Sequence, residues 1–219
     1  MNRLLFEKTG DAVFLSHLDL MRIFQRAFKR ADIMIWHSQG YSPRAYVSIA
    51  LPLSVGTESV CEILDFEIED GSVELTKLPT LLNRTLPAGV RVLSAYESAN
   101  KIKNLFWLEA EVTLEYDAGM PAGTQKTIAD LFSQPELVIV KHGKKGDSEV
   151  NLKERIRSLE LRSDSQQELT IHAVVQAQNP GLNPQLLVQA IDEKCPGCRP
   201  DFARIRRMEV YDCEMRPFR

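Results

Sequence analysis

The chain has 219 residues, 44% of them hydrophobic and 26% charged, with a formal net charge of -3. That length suits one large domain or two small ones with a substantial core, and the near-neutral charge excludes a global polybasic field aimed at nucleic acid or membrane. Four cysteines do not make a secreted disulfide framework, no apolar run approaches the roughly 18–20 residues of a spanning helix, and the opening MNRLLFEKTGDAVF lacks the order of a signal peptide, so a cytoplasmic protein with no membrane partner is expected.

Residues 2–10 read as a strand ending in Gly10. In FLSHLDLMRIFQRAFKRADI, Leu20, Ile23, Phe24, Ala27, Phe28 and Ala31 recur at helical spacing, which predicts a helix from about residue 17 to 31. Ser16 suits its N-cap, Asp19 stands where a capping box needs a carboxylate, and Leu15 and Leu20 suit a hydrophobic staple. AYVSIALPL and residues 61–69 read as strands, and residues 72–85 as a helix that Pro79 interrupts with a break or a short first turn. Residues 90–98 read as a strand, closing a β-α-β-β-α-β order, the ferredoxin-like signature.

After a connector at 101–104 the order recurs. Residues 107–116 alternate as a strand, 121–134 read as a short helix, and a hairpin around 143–147 runs into LKERIRSLEL. A long strand at 167–178, a helix at 182–192 and a closing strand at 203–215 complete it. The expected fold is α+β, with two tandem ferredoxin-like halves built on antiparallel sheets. The first domain spans 1–100 and the second 101–219, with a hairpin insertion.

The net charge hides an asymmetry. Residues 1–56 carry seven Lys/Arg against four Asp/Glu, whereas residues 57–74 carry seven acids and no base. Arg22, Gln25, Arg26, Lys29 and Arg30 share the polar face of the first helix; this is either a solvated surface or a stripe for phosphates. The acidic run is either strand protection by charge or a docking face for a basic partner.

Between helix and second strand lies IWHSQGYSPRAYVS. Gly40 allows close backbone approach, Arg44 suits a two-pronged contact with phosphate or carboxylate, and Trp36 and Tyr41 could stack on a flat ring. Ser38, Gln39 and Ser42 add donors. The plain alternative is a structural turn with buried aromatics. The candidate phosphate-binding set is Ser16, His17, Arg22, Arg26, Ser38, Gln39, Gly40, Tyr41 and Arg44.

Other chemistry is thinner. His17 at a helix N-terminus could act as a general base, but a ring hydrogen-bonded within the cap and loop is the preferred reading. No Ser-His-Asp set, phosphate loop or paired-carboxylate motif accompanies it. Cys195-Pro-Gly-Cys198 could contribute to a zinc site, although a plain turn accounts for it better. Cys195 and Cys198 are a single pair, with Cys61 and Cys213 standing alone, so no cofactor is expected in this chain.

TGDAVFLSHLDLMRIFQRAFKRADI followed by SQGYSPRAYVSIALPLSVGTES resembles the bacterial family of radical-SAM-linked proteins, a domain of unknown function. The matching residues are Ser16, His17, Asp19, Arg22, Ser38, Gln39, Gly40, Tyr41, Pro43, Ser48, Pro52, Gly56, Glu58 and Ser59. The clear match covers residues 3–68; Arg44-Ala45-Tyr46 and Asn151 depart from the usual pattern, which is more basic at the first and acidic at the second. The resemblance implies a partner, a radical SAM protein that often carries a cobalamin-binding domain, and a genomic setting near RNA-processing genes. Three functions stay open: an accessory subunit serving that partner and binding RNA or another phosphate-bearing ligand through the first helix and following loop, a protein-interaction module docking through residues 58–74, or a metal-independent RNA-processing enzyme using His17 or His37.

Overall fold

The computed structural model describes all residues except 40, 70–72, 142–145 and 164. Two units divide the chain, Met1–Asn104 with Phe218–Arg219, and Leu105–Pro217.

In the first unit, β1 (Asn2–Lys8) leads through a 3-10 turn to α1 (His17–Arg30), followed by β2 (Val47–Ile49), β3 (Thr57–Phe66), α2 (Leu78–Asn83) and β4 (Val90–Glu97). The strands lie in the order β4-β1-β3-β2, each pair antiparallel. One face of this sheet is apolar. Leu4, Phe6, Leu64 and Phe66 meet Leu20, Phe24, Ala27 and Phe28 of α1 and Leu78 and Leu82 of α2 in one buried cluster. Phe6 packs edge-on against Phe24 at 4.7 Å, and Phe28 lies tilted against Phe66 at 4.9 Å. Each such ring, fully buried, contributes about 1.5–3 kcal/mol.

Both ends of α1 are set by local chemistry. At its start the capping box is complete in both directions between Ser16 and Asp19. At its end the Ile33 N–H donates to the Phe28 carbonyl and the Asp32 N–H to Lys29, with Asp32 at φ 57°. That pattern is a Schellman motif, and Ile33 and Phe28 are both buried beneath it.

The second helix departs from expectation. A 3-10 turn occupies Leu75–Lys77, and α2 begins only at Leu78. Pro79 lies in its first turn, where the missing N–H would have no intrahelical partner, so it starts the helix rather than breaking it. The expected beginning at Ser72 lies outside the described residues.

The second unit contains β5 (Trp107–Glu115), α3 (Thr124–Ser133), β6 (Val138–Lys141), β7 (Ser148–Asn151), β8 (Ile156–Arg162), β9 (Glu168–Gln176), α4 (Gln185–Lys194) and β10 (Phe202–Tyr211). Its strands lie in the order β10-β5-β9-β8, all antiparallel, with β6 and β7 paired in a separate hairpin. Alternation is strict: Leu108, Ala110, Val112 and Leu114 are buried against Leu169, Ile171, Ala173 and Val175. The intervening residues stay half-exposed, and among them His172 Nε2 lies 2.6 Å from Glu111 Oε1. Strand β8 corrects the reading of LKERIRSLEL as the run-out of a hairpin. The turn of that hairpin lies partly outside the described residues.

Candidate nucleic-acid interface

The start of α1 is occupied by its own cap. The Ser16 hydroxyl donates to Asp19 Oδ2 at 2.6 Å and accepts the Asp19 N–H at 3.2 Å. The bond from that hydroxyl first, then the Ser16 N–H donating to the same Oδ2 at 3.3 Å, with Arg22 3.5 Å away, hold the Asp19 carboxyl below the usual carboxylate range. Ser16 thus caps the helix through both its hydroxyl bonds to Asp19. His17 is half-buried and its Nδ1 has no hydrogen-bond partner, contrary to the expectation that the ring bonds within cap and loop. His37 is exposed and sits in a bridge with Ala45. Neither histidine has a nucleophile or a carboxylate bonded to it among the described residues.

Along α1, Arg22, Arg26, Lys29 and Arg30 are exposed. Arg22 pairs with Asp19; the other three make no ion pair among the described residues. Gln25, on one flank of this stripe, donates from Nε2 to the Ala45 carbonyl at 2.8 Å, tying the helix to the aromatic loop. Arg26 and Arg30, on the opposite flank, line a groove with residues 85–88.

The loop folds back on itself. Its limbs are joined by bonds from Ser38 N–H to Arg44 O at 2.9 Å and from Tyr46 N–H to Trp36 O at 2.8 Å, and the Arg44 N–H donates to Ser38 Oγ at 3.1 Å. Ile33, Ile35 and Val47 are buried in the core under α1. Strand alternation therefore turns Trp36, Ser38, Arg44 and Tyr46 to the other face. There the Trp36 and Tyr46 rings meet edge-on at 5.7 Å, 37% and 39% exposed. Arg44 is exposed and has no acidic partner among the described residues. Gln39 is exposed, and Tyr41, at 112%, stands wholly in solvent at the apex; Gly40 lies outside the described residues.

The candidate set therefore separates. Ser38 and Arg44 join Trp36 and Tyr46 on one face, while Arg22 and Arg26 belong to the outer face of α1. Tyr46 had no role assigned from sequence. Its mirror placement with Trp36, five residues to either side of Tyr41, was the available signal.

The acidic run is not one surface. Glu62 and Asp65 are buried, Glu58 accepts the Gly10 N–H, and Glu74 pairs with Lys77. Asp65 instead holds Arg3: Nε donates to Oδ1 at 2.7 Å and Nη2 to Oδ2 at 3.1 Å. Within its own unit β3 lies between β1 and β2, so edge protection does not account for the run either.

Cys195 and Cys198 sit on the 3-10 turn that ends α4, where the Cys195 N–H bonds to Ile191 O and the Cys198 N–H to Cys195 O. Burial, then the neighbouring Cys198, pushes the Cys195 thiol up. The Tyr116 hydroxyl donates to the Cys198 carbonyl at 2.9 Å, and burial first, then Cys198 and nearby acids, pushes it up to about 12. Among the described residues no three His, Cys, Asp or Glu side chains gather as metal ligands. Nor, among them, is any helix long and apolar enough to cross a membrane.

A family model described as "Uncharacterized protein conserved in bacteria (DUF2344)" matches residues 2–184. The chain belongs to DUF2344. The matched span takes in α1, the hairpin loop and the groove beside α1. No curated protein matches this DUF2344 chain. Among solved structures it is similar to a chain of a Cbf5–Nop10–Gar1 complex, with 8% identity and a TM-score of 0.53, over 95% of this chain and 48% of that one. It is also similar to a chain of an archaeal box H/ACA Nop10–Cbf5 complex, with 9% identity and a TM-score of 0.47, over 94% and 46%. The DUF2344 chain thus spans about half the length of these neighbours, and the likeness to the first of them, at this identity, is one of fold alone.

Proposed function

We propose that the protein is a non-catalytic accessory subunit that holds single-stranded RNA on the outer face of the hairpin loop and presents it to a radical SAM partner. The observation that carries this reading is the grouping of Trp36, Tyr46 and Arg44 on one exposed face. A ring platform beside an unneutralised guanidinium is what a base and its phosphate require together. Arg22 and Lys29 would add attraction at longer range. The partner, cobalamin-binding in many cases, is implied by the resemblance of residues 3–68 to radical-SAM-linked proteins. The cluster chemistry would be the partner's, in the cytoplasm, with no resident cofactor in this chain.

Each unit is read here as ferredoxin-like. The strand orders β4-β1-β3-β2 and β10-β5-β9-β8, with two helices in each unit, support that assignment. Docking through residues 58–74 is the weaker reading because Glu62 and Asp65 are buried.

The test is anisotropy of a labelled oligouridine across a salt series. Wild type should bind with log K falling linearly in log salt. Trp36→Ala with Tyr46→Ala should lose about 1–3 kcal/mol per base unstacked, and Arg44→Ala should reduce the salt slope by about one. Absence of binding, or binding indifferent to all three changes, would refute the proposal.

A further inference from the structure

The groove on the other flank of α1 has a volume of about 410 Å³, within the range of small-ligand sites. Its lining combines Arg26 and Arg30 with apolar Leu15, Ile23 and Leu86, and Asp11 is its acid. The two arginines are four residues apart, so they stand one above the other on the helix. Like charges at that spacing destabilise a helix unless something neutralises them. No described carboxylate does so: neither arginine makes an ion pair, Asp11 included.

The walls are fixed before any ligand arrives. The Thr9 N–H bonds to the Gly89 carbonyl at 2.8 Å, tying the start of the segment that carries Asp11 and Ala12 to the turn that carries Leu86. Gly89 is at φ +81°, and a Cβ there would lie 2.3 Å from the Thr9 carbonyl oxygen and 2.8 Å from Ala12 Cβ, so only glycine allows this approach. Lys8, buried, donates to the carbonyls of Val13 and Leu15 at 3.1 and 3.2 Å and holds the segment leading into α1.

We infer that this groove binds a phosphate monoester. A phosphodiester carries one negative charge and is matched by one cation, whereas a monoester approaches two charges above its second ionisation near about pH 6. Two unpaired guanidiniums match the second, each able to grip two oxygens. The apolar side chains would cover the body of the molecule, and Asp11 would accept from a hydroxyl or amino group at its far end. The shared chemistry is met by a free nucleotide or by the 5′ end of an RNA strand. The site is distinct from the hairpin platform and does not depend on it.

The experiment is calorimetric titration of the full chain at about pH 8 with adenosine monophosphate against adenosine, and with 5′-phosphorylated against 5′-hydroxyl oligouridine. Variants are Arg26→Gln/Arg30→Gln and the charge-matched control Lys101→Gln/Lys103→Gln. The expected result is a preference of about tenfold or more for the phosphorylated member of at least one pair. The arginine variant should abolish the preference and the control should keep it. Binding of the nucleotide alone identifies a small-molecule site, and binding of the strand alone an end-recognition site; both support the inference. Equal affinity for phosphorylated and unphosphorylated members, no binding of either, or a preference that survives in the arginine variant would overturn it. The readout is a ratio between ligands, so loss of all strand binding in Trp36→Ala/Tyr46→Ala would leave the nucleotide arm intact. Circular dichroism confirms that the exposed substitutions leave the fold unchanged.

Discussion

Asp65→Ala should be among the most damaging single changes in the first unit. Arg3 is fully buried, and its guanidinium donates to both oxygens of Asp65, to Ser98 Oγ at 3.0 Å and to the Asn100 carbonyl at 2.9 Å, with the Phe218 ring 5.0 Å away. Removing the carboxylate leaves a buried cation without its counter-charge, which costs about 3–5 kcal/mol. In a chain of this size each kcal/mol moves the melting temperature by about 2–4 °C, so a fall of roughly 6–20 °C follows. Arg3→Met should be comparably harmful because it strands Asp65. In Arg3→Met/Asp65→Leu the charges leave together and only the Asn100 carbonyl is deprived, at about 1–3 kcal/mol, so the double variant should be more stable than either single one. The assay is urea unfolding of all four proteins, followed by far-UV dichroism and by Trp36 fluorescence in a Trp107→Phe background. An Asp65→Ala loss below about 1 kcal/mol, or a double variant whose loss equals the sum of the singles, would refute the reasoning.

Ser16→Ala should cost about 1 kcal/mol by denaturant unfolding, since the cap of α1 loses its acceptor. Because the folded Asp19 carboxyl sits below its ordinary range, its contribution to stability is present above the unfolded carboxylate value and is lost as pH falls through the lowered one; melting temperatures of Asp19→Asn should therefore change less on acidification than those of wild type. Gly89→Ala should lose about 1–3 kcal/mol or more, because it adds backbone strain to a contact with Thr9. Asp32→Gly should gain about 0.5–1 kcal/mol, relieving a left-handed residue and an acid at a helix C-terminus, partly offset by a freer unfolded chain.

Where local chemistry decides, the sequence is readable. The cap of α1 needs only Ser16 and Asp19 at the right spacing, and its apolar stripe needs only periodicity. Strand β8 escaped because its burial is partial throughout: it is an outer strand of its unit, and Ile156, Leu159 and Leu161 stand among charges. Pro79 leaves a break and a short first turn both open in the sequence, because proline breaks a helix or begins one depending on a boundary set by the packing of Leu78. The acids of β3 read as surface residues in the sequence because burial of a carboxylate depends on a partner distant in sequence. The clue was the Arg3–Asp65 register between two strands already expected to be in one sheet. At the candidate site, residue types were legible but their facing was not, since it follows from which limb of the loop pairs with which.

The Phe218 ring over Arg3 has a consequence for dissection. Ser98 Oγ also donates to the Arg219 carbonyl at 3.0 Å, so residues 218 and 219 belong to the same unit as β1. A fragment stopped at Asn104 would retain every strand and helix of that unit and still lack the lid of its buried cation. Excision at the connector is therefore the wrong cut. A fragment that keeps the lid has to carry residues 218 and 219 as well as residues 1–104.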